Sequence, residues 1–238
     1  MKQYEAVILT LERLGGQATL AQLYREAMKV EGCTWGTKTP FASIRRIVQT
    51  RPEIFKVRPG LWALRAYKDK LGLAEHDEVK DHAADDQTHA YYQGILTLIG
   101  NMRGLATCVP RQDRNKPFLG KRLGDLATLS ALPTFTYDHL LRFCKTIDVV
   151  WLNARRMPHS LFEVEHSTDM QGAFIKFHEL QDFYARMFIV ADGRRRREFD
   201  DKRRRSLFEA IRDRVRFLDY EALVRLYERE AMRVECGF

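Results

Sequence analysis

From Leu161 to Thr168 the chain reads Leu-Phe-Glu-Val-Glu-His-Ser-Thr. Side chains alternate across a strand, so Glu163 and Glu165 share one face while Phe162 and Val164 share the other. Few environments accept such a segment, because one face needs apolar cover and the other needs water, a counter-charge or a cation. Just upstream, Ile147-Asp148-Val149-Val150-Trp151-Leu152 reads as an apolar, buried strand. It begins with a carboxylate that a buried strand does not tolerate without a partner. An isolated acidic pair can simply protect an exposed edge strand from aggregation. Beside Asp148, the same pair becomes a carboxylate cluster suited to a divalent metal and to metal-assisted phosphodiester hydrolysis.

At 238 residues the chain has room for a small module joined to a larger one. A composition of 45% hydrophobic and 30% charged residues is that of a folded protein, and no apolar run reaches bilayer-spanning length. With neither a secretory signal nor a membrane segment in the sequence, the expectation is a cytoplasmic protein. Cys33, Cys108, Cys144 and Cys236 are scattered and lack C-x-x-C spacing, which argues against a zinc site or a disulfide framework. The net charge of +8 points to a polyanionic partner. Basic residues concentrate before Tyr67 and again in Arg194–Arg197 and Lys202–Arg205, so both halves are expected to touch nucleic acid.

The first 67 residues predict three helices and a hairpin. Apolar spacing over Gln3–Leu14 ends at Gly15-Gly16, and Thr19 with Gln22 forms a capping-box pattern that starts a second helix. A third helix begins at Pro40, with Phe41, Ile44, Ile47 and Val48 inward and Lys38, Arg45, Arg46 and Arg51 outward. Strands Ile54–Val57 and Leu61–Leu64 are joined by the tight turn Arg58-Pro59-Gly60. Together with Trp35, the Lys38-Thr39-Pro40 start and the closing Gly60-Leu61-Trp62-Ala63-Leu64, this arrangement resembles the HARE-type winged helix-turn-helix domain found fused to restriction-type nucleases. The resemblance implies DNA binding, with Lys38, Arg45, Arg46 and the wing residue Arg58 as contacts.

Residues 68–88 read as an acidic linker, including Asp77, Glu78, Asp81, Asp85 and Asp86. Residues 89–238 read as the second module. It has a helix to Met102, a strand at Leu105–Pro110, a helix at Tyr137–Cys144, and strands at Ile147–Leu152 and Leu161–His166. A helix capped by Thr168 with Gln171 follows, then a strand at Met187–Ala191 and two C-terminal helices, Arg205–Phe217 and Tyr220–Val234. The expected fold class is therefore α+β: a winged helix joined to a mixed-sheet αβββαβ core with C-terminal helices. Without its inserted helix, that order resembles the restriction endonuclease-like PD-(D/E)XK nucleases, with Asp148 on the second core strand and Glu163 and Glu165 on the third.

What the resemblance implies is a Mg²⁺-dependent deoxyribonuclease of restriction or defence type, with Mn²⁺ as a possible substitute. Asp148, Glu163 and the Val164 carbonyl hold the ion, and Glu165 orients the attacking water. The family's third strand usually ends in lysine where this chain has Glu165, so Lys176 in the next helix is the alternative donor. Gln93, in the first helix of this module, is a further candidate to approach the metal. Arg194, Arg195, Arg196 and Arg197 are candidate phosphate contacts. Double-stranded DNA is the expected partner, and cutting both strands implies a homodimer. The alternative is a noncatalytic DNA-binding regulator that keeps the nuclease fold.

Overall fold

Thr19 and Gln22 exchange hydrogen bonds in the computed structural model. Gln22 N–H donates to Thr19 Oγ1 at 3.2 Å and Thr19 N–H donates to Gln22 Oε1 at 2.9 Å, which satisfies two backbone donors at the start of a helix. The structure describes residues 1–36, 38–72 and 82–236. Two compact units emerge: Met1–Val79 with Tyr227–Phe238, and Lys80–Leu226.

The first unit contains α1 (Gln3–Arg13), β1 (Gln17–Thr19), α2 (Leu20–Glu26), α3 (Pro40–Thr50), β2 (Ile54–Arg58) and β3 (Leu61–Leu64). The strands form an antiparallel sheet in the order β1-β3-β2. Val7, Leu11, Leu23, Tyr24, Ile44 and Val48 meet in its core. Strand β1 is absent from the sequence expectation because three residues carry no readable alternation; pairing with β3 creates it. Arg45, expected to face DNA, pairs its Nη2 with Glu228 at 2.5 Å within this unit.

The second unit begins with α4 (His82–Met102). After it come β4 (Ala106–Cys108), the small hairpin β5 (Pro117–Phe118) and β6 (Lys121–Arg122), then α5 (Leu123–Leu126) and α6 (Asp138–Cys144). Next are β7 (Val149–Leu152), β8 (Pro158–Val164), α7 (Gln171–Glu179), β9 (Arg186–Ala191), α8 (Arg196–Arg203), β10 (Val215–Asp219) and the start of α9 (Tyr220–Glu235), which from Tyr227 onward belongs to the first unit. A mixed five-stranded sheet runs β10-β9-β8-β7-β4, antiparallel from β4 to β8 and parallel from β8 to β10. The fold class is α+β. No helix among the described residues is long and apolar enough to cross a membrane.

Helix α4 is buried almost continuously from Ala90 to Gly100, as expected of a helix enclosed by protein. Two glycines permit this: a Cβ on Gly94 would come within 2.2 Å of the Phe118 ring, and one on Gly100 within 2.5 Å of Thr107 and 2.6 Å of Trp151. The opposite face of the sheet is covered by α7, α8 and the turn after α8, through Phe174, Phe177, Phe199, Phe208 and Ile211.

Four expectations need correction. The linker does not extend to residue 88, because α4 already starts at His82 and takes in Asp85 and Asp86; Asp77, Glu78 and Asp81 lie outside the described residues. The expected helix Arg205–Phe217 is instead a 3-10 turn, Ser206–Ile211, followed by β10. Its buried Phe208, Ile211 and Val215 imitate helical spacing, but pairing with β9 makes the second half a strand. Thr168 does not cap α7: its hydroxyl bonds Glu165, and Asp169 accepts the Gln171 N–H at 2.9 Å. Strand β7 starts one residue after Asp148, which leaves that side chain at the strand's tip.

Candidate active site

Val149 lies opposite Phe162 in the β7–β8 ladder, and continuing that register sets Asp148 opposite Glu163. Asp148 turns its carboxylate into the ladder itself, where Oδ2 accepts the Val164 N–H at 2.7 Å. From α4, His89 Nε2 stands 3.0 Å from the same oxygen, and Gln93 Nε2 lies 3.4 Å from Oδ1. His89 and Gln93 are four residues apart and so project from one side of the helix. Gln93 also donates to Asp113 at 2.8 Å, and Lys116 pairs with Asp113 at 2.9 Å. Burial opposes a charge on His89, but its hydrogen bond to Asp148 and that carboxylate's charge prevail, and its pKa is raised.

Glu163 is 2% exposed. One of its oxygens receives the Lys176 ammonium at 2.8 Å, and Lys176 also donates to the Thr146 carbonyl at 3.1 Å. The other, Oε1, is buried without a hydrogen-bond partner among the described residues, as is Gln93 Oε1. Burial, then the charge of Asp148, push the Glu163 carboxyl well above the ordinary range, against the pull of Lys176. Burial also raises Glu165, whose carboxylate accepts the Thr168 hydroxyl. Lys176 is itself raised: burial disfavours its charge, but Glu163, Asp148 and Glu165 together prevail. Lys176 is thus the cation that answers these acids.

Arg195 sits behind Glu165 and does structural work. It donates to the carbonyls of Glu165 (2.8 Å), His166 (3.0 Å) and Thr168, and pairs with Glu198 at 2.9 Å. This staples the turn that leaves β8. His166 instead meets Asp85 and the Tyr220 hydroxyl, each at 3.2 Å.

The remaining basic candidates divide by environment. Arg194 is tied to Asp192 and Arg196 to Asp200, while Lys202, Arg203 and Arg204 pair with Asp169, Asp200 and Asp201. This run is therefore a mesh of alternating charges. Arg197, Lys38 and Arg46 are exposed, and Arg58 is half-buried.

Asp148, Glu163 and Lys176 are brought together, with Glu165 near enough to influence Glu163 electrostatically. No group of three or more His, Cys, Asp or Glu side chains among the described residues is arranged to hold a metal ion. Sequence reading missed His89, Asp113 and Lys116. A signal for the first existed: His89 and Gln93 form an i, i+4 polar pair on an otherwise apolar helix. Asp113 and Lys116 sit in an irregular insertion with no periodicity to read.

Against known proteins, the family model of the type II restriction enzyme NmeDI C-terminal domain matches residues 70–235. The type II restriction enzyme NmeDI of Neisseria meningitidis serogroup C is 25% identical over 149 residues, covering 58% of this chain and 42% of that protein. The chain thus spans less than half the length of this relative. No solved structure matches.

Proposed function

The chain belongs to the family of the type II restriction enzyme NmeDI C-terminal domain, and from that membership we propose that it is a metal-dependent DNA endonuclease of restriction type. The observation that carries the reading is the Lys176–Glu163 pair at 2.8 Å beside Asp148, with a second Glu163 oxygen buried and undonated. The PD-(D/E)XK nucleases that the sequence resembles usually place their lysine two residues after the acid on one strand. Here Glu165 takes that position, and α7 returns an ammonium to the acid from another element.

The oxygens offered to a hard divalent cation are bare acceptors and not a preformed cluster of acids: Glu163 Oε1 and Gln93 Oε1 are buried with no donor among the described residues, and a buried acceptor left bare costs on the order of 1–3 kcal/mol. Asp148, Glu163 and the Val164 carbonyl would hold Mg²⁺, or Mn²⁺ in its place, with Gln93 alongside. When bound, the ion supplies a more acidic water and neutralises charge on the phosphate. Lys176 positions Glu163 and offers an ammonium to the attacked phosphate, while Glu165 orients or accepts the proton of the incoming water. His89 and the Val164 N–H fix the rotamer of Asp148.

Docking falls to the first unit. Its order α1-β1-α2-α3-β2-β3 and its β1-β3-β2 sheet support a winged-helix reading, with α3 as the groove-entering helix. Lys38, Arg46 and Arg58 are the proposed DNA contacts there. Cutting both strands calls for two sites, supplied by a homodimer.

Incubation of supercoiled plasmid with Mg²⁺ or Mn²⁺, against a chelator control, tests the reading. Glu163→Gln and Lys176→Met should each lower cleavage about a hundredfold or more, with duplex binding in chelator retained. Full cleavage by Glu163→Gln would sink the assignment. The rival reading, a noncatalytic DNA-binding regulator, draws on Glu165 in the lysine position. It expects duplex binding but no cleavage in either metal.

A further inference from the structure

The strands that carry the acids also border a second polar site, at their opposite ends. A cavity of about 510 Å³ opens where β8, β9 and β10 begin, whereas Glu163 and Glu165 stand where β8 finishes. The length of β8 keeps the two sites roughly 20 Å apart. Arg186, Arg214, Arg216 and His159 line the cavity against a single carboxylate, Asp213. Arg186 opens β9 and Arg216 lies near the start of β10, its parallel neighbour, and both are exposed. The charge of Arg186 reaches His159: burial first, then Arg186 and Arg103, hold that imidazole below its usual value.

Tyr184 stands at the rim, fully exposed. A lone exposed tyrosine means little, but this one is held in place. Arg214 donates to the carbonyls of Gln181, Phe183 and Ala185 and so fixes the backbone on both sides of it. Phe183 turns inward and packs edge-on against Phe135, with ring centres 5.5 Å apart. The next residue's ring is thereby presented to solvent on a rigid backbone. A preorganised aromatic surface beside guanidinium groups is what stacking on a base and pairing with a phosphate require.

We propose that this cavity binds a nucleoside phosphate, with the base against the Tyr184 ring and the phosphate between Arg186 and Arg216. Asp213 is the acceptor for a sugar hydroxyl or a base amino group. The same chemistry is offered by a free nucleotide and by an unpaired nucleotide at the end of a DNA strand. Occupancy here does not depend on the acids at the far end of the sheet, so the proposal stands or falls separately from the nuclease reading.

The test uses the full chain in chelator, which removes metal-dependent cleavage from the measurement. Three probes are titrated: thymidine monophosphate, single-stranded (dT)8, and a blunt hairpin duplex with no unpaired end. Photocrosslinking of a 5-iodouracil-substituted (dT)8, mapped by mass spectrometry, reports where the base lies. Tyr184→Ala should weaken (dT)8 about tenfold and abolish a crosslink on the Tyr184 peptide, while Tyr184→Phe retains most of the affinity. Arg186→Ala with Arg216→Ala should also cost about tenfold and flatten the salt dependence, and neither change should alter hairpin binding. All these positions are exposed, so the variants should fold. Competition by thymidine monophosphate identifies a free nucleotide as a ligand; binding of (dT)8 without such competition identifies the strand end. The proposal is overturned if (dT)8 and the monophosphate both fail to bind, if the variants leave affinity unchanged, or if the crosslink maps elsewhere.

Discussion

Glu163 is buried, one of its oxygens has no donor among the described residues, and its acidity records that. A carboxyl whose folded pKa is raised contributes stability that is complete below its ordinary value of 4.5 and is lost as pH rises through the folded value. Lys176 is raised above 10.5, so its contribution is present throughout that range and fades only in strong alkali. Glu163→Gln removes the unfavourable titration. Its melting temperature should therefore fall less than that of the parent between pH 4.5 and 7, as measured by calorimetry; parallel profiles would show that Glu163 ionises without cost. The same substitution should lower cleavage about a hundredfold or more. A variant that is steadier at neutral pH yet nearly inactive is the expected mark of a charge kept for chemistry.

Helix α4 delivers His89 and Gln93 to Asp148 only because two of its faces lie very close to their neighbours. Gly94→Ala and Gly100→Ala push a methyl group into Phe118 and into Trp151, respectively. Each should destabilise the protein by about 1–3 kcal/mol, read as a drop in denaturant midpoint. Gly94→Ala, adjacent to Gln93, should also reduce cleavage more than its stability loss explains. The turn after β8 depends on Arg195 in a similar way. Arg195→Ala leaves three carbonyls without their shared donor, and amide exchange at residues 165–168 should quicken while β8 and β9 stay protected. Equal exchange in parent and variant would show that the staple is dispensable. The strand carrying Glu163 was legible from its alternation, whereas β10 was not, since Phe208, Ile211 and Val215 match a helical period that the β9 pairing overrides.

The net charge of +8 favours nucleic acid without saying where it docks. On the proposed docking, Lys38→Ala with Arg46→Ala should weaken duplex binding and lower the slope of log affinity against log salt by about 2. Arg45→Ala should leave that slope nearly intact and instead lower stability, because the Arg45–Glu228 ion pair, formed at a nearly buried carboxylate, is lost. A slope change as large for Arg45 as for the other pair would reverse these roles. Sedimentation across a concentration series tests the proposed dimer, and a monomer that nonetheless linearises plasmid by cutting both strands would refute it.

Alternation and helical spacing, both properties of neighbouring residues, determined from sequence alone that Glu163 stands on a strand, though that strand ends at Val164 and leaves Glu165 just past it, and that α3 carries an exposed basic face. They also marked Asp148 as a carboxylate needing a partner. Which partners it has was decided by packing between residues far apart in the chain. Lys176 reaches Glu163 because α7 lies across the strand, His89 reaches Asp148 because glycines let α4 sit against the sheet, and Arg195 is withdrawn from solvent because three carbonyls converge on it. Charge and period are written locally, but the distances that turn a cluster of acids into a site are set only when the elements pack.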